Sequence, residues 1–559
     1  MKRIFIIILI IITGLVQAQK KQDTVRTEVI NVTRSFEPKV QDAFKLDVNP
    51  EINQIGEKKI PVEYRIQSVP VASTFQPEKG GMAGFKAGSV QEDVYKSYIS
   101  LAGGNYTQIY GDAYIYYPVN ERFGSALRLS HYSSQGKDTV YKPFSHTYID
   151  ALFDFKGDNS RWNFDLGYNG HNNRLNQYIP AAQVNKTILS EQVTDKHTEN
   201  NFVFDLSAKF KELFIKDLSL RYNNYWDAFD NSEHAVQLQA DLKFPIGSID
   251  IKTGIRGDLV NGDLGRNKYF DPSYQTDISY NNIDFGILPA IQIENDKLVV
   301  NVGAKIFYQN RDTIYKTFQF FPDVNLNFNL IYEKLTLFAG VTGDIIQNAQ
   351  YRLAADNPYL FAVDPIIPTL MPYDIFGGFK GAFSSSFSYQ VDLGFRRINN
   401  YAFYYFYPES SLAGHKLIYD DMNQSYFKTA FNIGIGKKFD LKLQLTYLQN
   451  DPENLKKAYY LPDFRFKSIL IFKPTDKLNF NATLNSVGSR SFSPDYDKAL
   501  PGYTDLNLGV RYNINKQFTA FIQAGNILSN PYEIYYLYPS EKLQISGGAA
   551  YRFDIPVQN

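Results

Sequence analysis

LPGYTDLNLGVRYNINKQFTAFIQAGNILSNPYEIYYLYPSEKLQISGGAAYRF, residues 500–553, contains three stretches in which side chains alternate in character. In the last of them Leu543, Ile545, Gly547, Ala549, Tyr551 and Phe553 fall on one face. Gln544, Ser546, Gly548, Ala550 and Arg552 fall on the other. A period of two is the signature of a strand, whose successive side chains point to opposite faces. One dry face is equally compatible with a soluble antiparallel sheet. What separates the two readings is whether the pattern recurs around a whole barrel, and whether the chain is exported.

The start of the chain predicts export. Lys2 and Arg3 precede an apolar run from Ile4 to Ile12, and Val16-Gln17-Ala18 forms a small-residue cleavage site. These are the parts of a signal peptide, residues 1–18. The run is too short to span a bilayer as a helix, which takes about 20 residues. The chain has no cysteine, so it offers neither a lipoprotein acylation site nor a disulfide.

Composition agrees with a barrel. There are 42 Tyr and 43 Phe but only 2 Trp, aromatic residues make up 16% of the chain, and no later segment is a long uninterrupted apolar run. Tyr and Phe in that abundance suit the interfacial girdles of a transmembrane β-barrel. The 58 basic and 58 acidic residues balance, so no basic patch points to nucleic acid.

The alternation recurs. Phe439, Leu441, Leu443, Leu445 and Tyr447 oppose Asp440, Lys442, Gln444 and Thr446. Leu298, Val300, Val302, Ala304, Ile306 and Tyr308 oppose Asn301, Gly303 and Lys305; Leu478, Phe480, Ala482 and Leu484 oppose asparagines and Thr483. Lys and Asn are costly in a dry sandwich core but at home in a watery lumen. Short connections such as 118–121, 294–297 and 513–517 take turns with long ones: 171–200, 260–275, 347–372, 407–424, 450–460 and 488–502. This is the rhythm of short periplasmic turns and long outer loops, and it gives about 22 strands between Val94 and Phe553. A count of 20 follows if one of the weaker hairpins, 376–405 first among them, is misread.

The stretch 500–553 resembles the C-terminus of the TonB-dependent receptor barrel. The matching pieces are Leu500-Pro501-Gly502-Tyr503, Asn526-Ile527-Leu528 with Tyr532, and the closing Tyr551-Arg552-Phe553. Residues 377–406 resemble a mid-barrel hairpin of the same family. The resemblance implies a 22-stranded outer-membrane barrel that captures or passes a solute, with no enzymatic activity and no cofactor. It also implies an N-terminal plug behind a TonB box. Here only residues 19–93 precede the first expected strand, so the plug is expected to be reduced or missing. Thr27–Thr33 faintly resembles the start of the plug region, and coupling to TonB is left open.

The expected organisation is therefore a signal peptide (1–18), a periplasmic or lumenal segment (19–93), an all-β transmembrane barrel (94–553) and a short tail (554–559). Tyr551 and Phe553 are expected to be the signal read by the barrel-assembly machinery. The tyrosines of two clusters, Tyr404, Tyr405 and Tyr407 with Tyr535, Tyr536 and Tyr538, form either a girdle and loop base or a ligand platform at the loops. The six histidines, His131, His146, His171, His197, His234 and His415, fall mostly on expected outer loops and have no zinc spacing. Expected surroundings are outer-membrane lipid and lipopolysaccharide, with a surface lipoprotein or periplasmic protein as partner. A second class of function stays open: a non-transporting barrel that scaffolds an assembly. Because a plugless barrel of this width would breach the barrier, residues 19–93 and the loops 347–372 and 407–424 are expected to fill the lumen.

Overall fold

The computed structural model describes residues 95–136, 142–176, 195–246, 249–265, 278–311, 316–361, 365–407 and 413–556. The signal peptide, the segment 19–93 and Thr27–Thr33 lie outside the described residues.

A single 22-stranded antiparallel sheet closes on itself. Its first strand, Ser97–Gly104, pairs with its last, Gln544–Phe553, in a register running from Ser97 against Phe553 to Gly104 against Ser546. Closure leaves no free edge, which is what a sheet in hydrocarbon requires. The strands run from 8 residues at Ser97–Gly104 to 22 at Gly414–Ile435. At about 3.3 Å per residue the longest is about 70 Å, far more than an apolar belt of about 25 Å needs. Strands of that length project well beyond the bilayer.

Which way the faces point follows from burial. Leu101, Phe320, Ile435 and Ile522 are exposed, at 64%, 70%, 66% and 62%, while Asn223, Asp258, Asp284 and Gln309 are buried. Large apolar groups outside and polar groups inside invert the order of a soluble protein and are correct for a barrel in lipid. The three alternating stretches of residues 500–553 are the strands Tyr503–Asn513, Phe518–Gly525 and Gln544–Phe553. Ile545 and Tyr551 lie on the exposed face, and Tyr551 stacks on Phe553 at 5.6 Å.

Three of the short turns form where an asparagine side chain folds the backbone locally. Asn120 Oδ1 accepts the N–H of Arg122 and Phe123, both at 2.8 Å. Asn295 does the same for Lys297 and Leu298, and Asn515 for Gln517 and Phe518. Such Asx turns supply the reversal without glycine. They share a side with the barrel's first and last strand ends, so the long connections all lie on the opposite rim.

Two expectations are corrected. Residues 407–424 are not a long loop: the strands Phe387–Tyr407 and Gly414–Ile435 pair from Tyr407 against Gly414 down to Phe387 against Ile433. The six histidines are not loop residues either, because each lies within a barrel strand. Both differences have one cause. The strands continue past the apolar belt, where alternation of oily and polar residues is no longer demanded.

Candidate functional site

The site is the outer mouth, and it begins with the longest hairpin. Between Ile398 and Tyr401 the register of this hairpin shifts by a bulge, with Asn400 at φ 53°. The Asn400 N–H donates to Asp421 at 2.8 Å, holding the bulge. Bulges re-aim the side chains that follow them. Beyond it Tyr401 and Phe403 sit on one face with Ile418 and Met422, covered by Leu455, Ala458 and Leu461. Tyr404 and Phe406 sit on the other face.

That second face meets the connections of the other strands. Tyr535 and Tyr538 belong to a small hairpin, Glu533–Tyr535 against Tyr538–Pro539, whose turn residue Leu537 has φ 69°. The hairpin drives both tyrosines into a cluster with Leu175, Phe229, Phe361, Phe406, Tyr460 and Phe492, each from a different part of the rim. Tyr359 stacks on Tyr538 at 3.4 Å and 9°. Tyr404 meets Tyr535 edge-on at 6.4 Å, and Phe492 stacks on Tyr536 at 4.2 Å. The result is an aromatic cap made from converging loops.

Several polar atoms in the cap are paired within it. Tyr535 donates to the Asp356 carbonyl at 2.6 Å, and Tyr404 to the Leu353 carbonyl at 3.1 Å. His415 Nε2 and the Tyr460 hydroxyl share a 2.7 Å bond, and the Tyr536 N–H donates to that hydroxyl at 3.2 Å. Tyr538 donates to the Ala413 carbonyl. Burial pushes the hydroxyls of Tyr460, Tyr535 and Tyr538 well above their ordinary pKa, so they stay neutral donors.

The loop between the strands Leu335–Ile346 and Thr369–Ser384 supplies one side of the cap and carries a short helix, α1 (Gln350–Asp356). No side chain of its own caps α1. Instead Glu233, buried on the wall, accepts the N–H of Gln350 at 2.7 Å and that of Tyr351 at 3.4 Å. Tyr280 donates to the same carboxylate at 2.6 Å. A carboxylate at a helix start satisfies free N–H groups and complements the helix dipole. Arg352 adds a bond to Gln237 at 2.8 Å, and Asn282 donates to the Ile366 carbonyl at 2.7 Å. Leu353, Leu360 and Ile366 pack on Ala235, Val260 and Tyr280 of the inner wall. The loop is thus folded inward against the barrel.

Of the sequence-derived tyrosines, the structure brings Tyr404, Tyr535, Tyr536 and Tyr538 together. Tyr405 is one residue from Tyr404 on a paired strand, so it is directed to the opposite face. The side chain of Tyr407 lies outside the described set. The cap also uses Tyr359, His415, Tyr460 and Phe492, which sequence reading missed. The Tyr459-Tyr460 doublet was a signal of the same kind as the clusters that were chosen, but shorter.

Beside the cap lies a cavity of about 50 Å³ lined by Tyr401, Tyr404, Tyr460, Tyr535, Arg465 and Arg490 among others. Among the described residues no group of three or more His, Asp or Glu is arranged to hold a metal ion. His146 and His171 are neighbours at 4.6 Å, and His197 lies 3.6 Å from Asp227.

No protein-family model matches the chain, and no curated protein matches it in sequence. Solved structures do match in shape. The FrpB iron transporter from Neisseria meningitidis superposes with a TM-score of 0.63 at 10% identity, covering 83% of this chain and 83% of that one. The ferric-catecholate import receptor Fiu from Escherichia coli K12 gives 0.59 at 11% identity, covering 83% and 82%. The ferripyoverdine receptor of the outer membrane of Pseudomonas aeruginosa gives 0.61 at 12% identity, covering 82% and 72%. At these identities the likeness is one of fold: the large barrel that the C-terminal motifs anticipated.

Proposed function

We propose that this chain is an outer-membrane receptor barrel that binds a solute at the cell surface and takes part in its uptake. The observation that carries the reading is the aromatic cap. Loops from across the rim are folded inward over the mouth and pack tyrosine and histidine side chains into a buried cluster that a solute entering from outside must meet. The fold it shares with an iron transporter and two ferric-complex receptors supports the same reading. The reading assigns binding and passage to the chain, with no catalytic step. Outer-membrane lipid and lipopolysaccharide surround the apolar face. The barrel-assembly machinery reads Tyr551 and Phe553, so replacing both with Ala lowers the assembled, heat-modifiable fraction; an unchanged fraction would refute that role.

One observation favours a second reading, a closed barrel that scaffolds a lipoprotein or periplasmic partner. The cap's polar groups are bonded to one another, as expected of a mouth that stays shut. Cells with and without the chain, grown under iron limitation, separate the two readings through uptake of labelled ferric chelates. Loss of uptake without the chain supports the receptor. Unchanged uptake, together with a stable co-purifying protein, supports the scaffold. Loss of uptake on removing residues 27–33 would tie the receptor to TonB.

A further inference from the structure

Two arginines, Arg490 buried and Arg465 half-buried, border the cavity, and among the described residues neither has a carboxylate partner. Arg490 is 4% exposed, donates through Nη2 to the Glu533 carbonyl at 2.7 Å and lies over the Tyr503 ring at 5.2 Å. Its Nε has no hydrogen-bond partner among the described residues, and neither has the Nε of Arg465. Arg465 is the second residue of the strand Phe464–Phe472 and stands opposite Val487, on the face away from the exposed Phe464. Among the described residues no carboxylate lies within ion-pair distance of either guanidinium. The Tyr503 ring and the Glu533 carboxylate are surrounding groups that favour the charge of Arg490. The two arginines also repel each other, and burial alone disfavours the charge of Arg490.

A buried charge without a counter-charge is expensive, by several kcal/mol, unless something pairs with it. Arginine stays protonated at any relevant pH, so neutralisation is not a way out. Unsatisfied buried donors in a native fold call for an ion or a water. A guanidinium matches the planar or tetrahedral geometry of an oxyanion better than any other acceptor. The cavity of about 50 Å³ has room for a small oxyanion group beside the two guanidinium groups. The face is turned away from lipid, so the oxyanion comes from a solute and not from a lipid headgroup.

We propose that Arg465 and Arg490 form an oxyanion subsite under the aromatic cap, which takes a carboxylate, phosphate or sulfate group of the captured solute. The link to a captured solute rests on the receptor reading; the subsite itself does not, because it is tested with inorganic sulfate alone. The full chain in detergent is titrated with sodium sulfate by calorimetry at constant ionic strength, with sodium chloride as the reference. Saturable binding is expected in the unaltered protein. It weakens about tenfold in Arg465→Gln and in Arg490→Gln and is partly kept in Arg490→Lys, as for loss of a charge-assisted pair. Lys211→Gln, in a turn on the far rim, leaves it unchanged. Heat-modifiable mobility confirms that each variant is folded, and Arg465→Gln stands as the test if Arg490→Gln is not. No saturable sulfate binding, or equal binding in folded Arg465→Gln and Arg490→Gln, overturns the subsite. Sulfate binding that persists while uptake proves absent overturns the receptor reading and leaves the subsite standing.

Discussion

The Glu233 carboxylate accepts the N–H of Gln350 at 2.7 Å across 117 residues of chain, and this bond fixes the start of helix α1 to the barrel wall. The same carboxylate takes the Tyr280 hydroxyl, so a single side chain joins two wall strands to the loop that enters the mouth. Glu233→Gln keeps the volume but removes the charge that complements α1, and it turns one acceptor into a donor facing N–H groups. The expected cost is about 1–3 kcal/mol, borne by the loop and not by the barrel. Hydrogen exchange of residues 350–357 rises while exchange in Ser97–Gly104 and Gln544–Phe553 stays unchanged. Equal exchange in α1 would show that the bond is dispensable.

Gly414 is one of the points where the cap touches the longest hairpin. A Cβ there would lie 1.3 Å from the Phe361 ring, which no side-chain adjustment of a few tenths of an ångström relieves. Gly414→Ala therefore expels Phe361 from the cluster, at a cost of about 1–3 kcal/mol for overpacking. Phe361→Ala in the same chain removes the clash, so the double variant is less unstable than the two single effects predict by addition. Additive losses in chemical unfolding of refolded protein would contradict the contact.

Asp356 closes α1, and burial raises its carboxyl to about 6. An acid whose folded pKa lies above its unfolded value binds more protons in the docked state. Docking is then strongest at acidic pH, weakens as pH rises from about 4 to about 6, and stays at its weaker level above that. Proteolysis of the loop should accelerate across this window, and Asp356→Asn should flatten the response. A loop that becomes more resistant between pH 4 and 6 would reverse the sign and refute the assignment.

The barrel was legible because a strand in lipid must repeat one simple pattern, and Leu441–Tyr447 and Ile545–Phe553 repeat it within ten residues each. The hairpin above the bulge at Asn400 was not legible, and residues 407–424 were taken for a loop. There both faces are covered, Phe403 by Leu455 and Leu461 and Tyr404 by Tyr535, and buried polar residues such as His415 and Lys416 fall on both, so the alternation of one oily and one polar face is lost. The cap was half legible. Clusters such as Tyr535–Tyr538 announce themselves, but convergence of Leu175, Phe229, Phe361 and Phe492 depends on where the closed ring places its loops. Arg465 and Arg490 gave no sequence signal, because a lone arginine looks alike whether it faces water or a cavity.

The central claim is that loops distant in sequence meet over the mouth, and the Tyr359–Tyr538 stack at 3.4 Å is its tightest statement. The chain has no cysteine of its own, so a pair can be introduced without background. Tyr359→Cys with Tyr538→Cys is displayed on intact cells, treated with a short flexible bis-maleimide and read by the shift of a protease-cut chain on denaturing gels. The account predicts that the reagent joins the two segments in the double variant and in neither single variant. Two thiols that each take up reagent singly without being joined, in a folded barrel, would mean that the loops stand apart and the mouth is open.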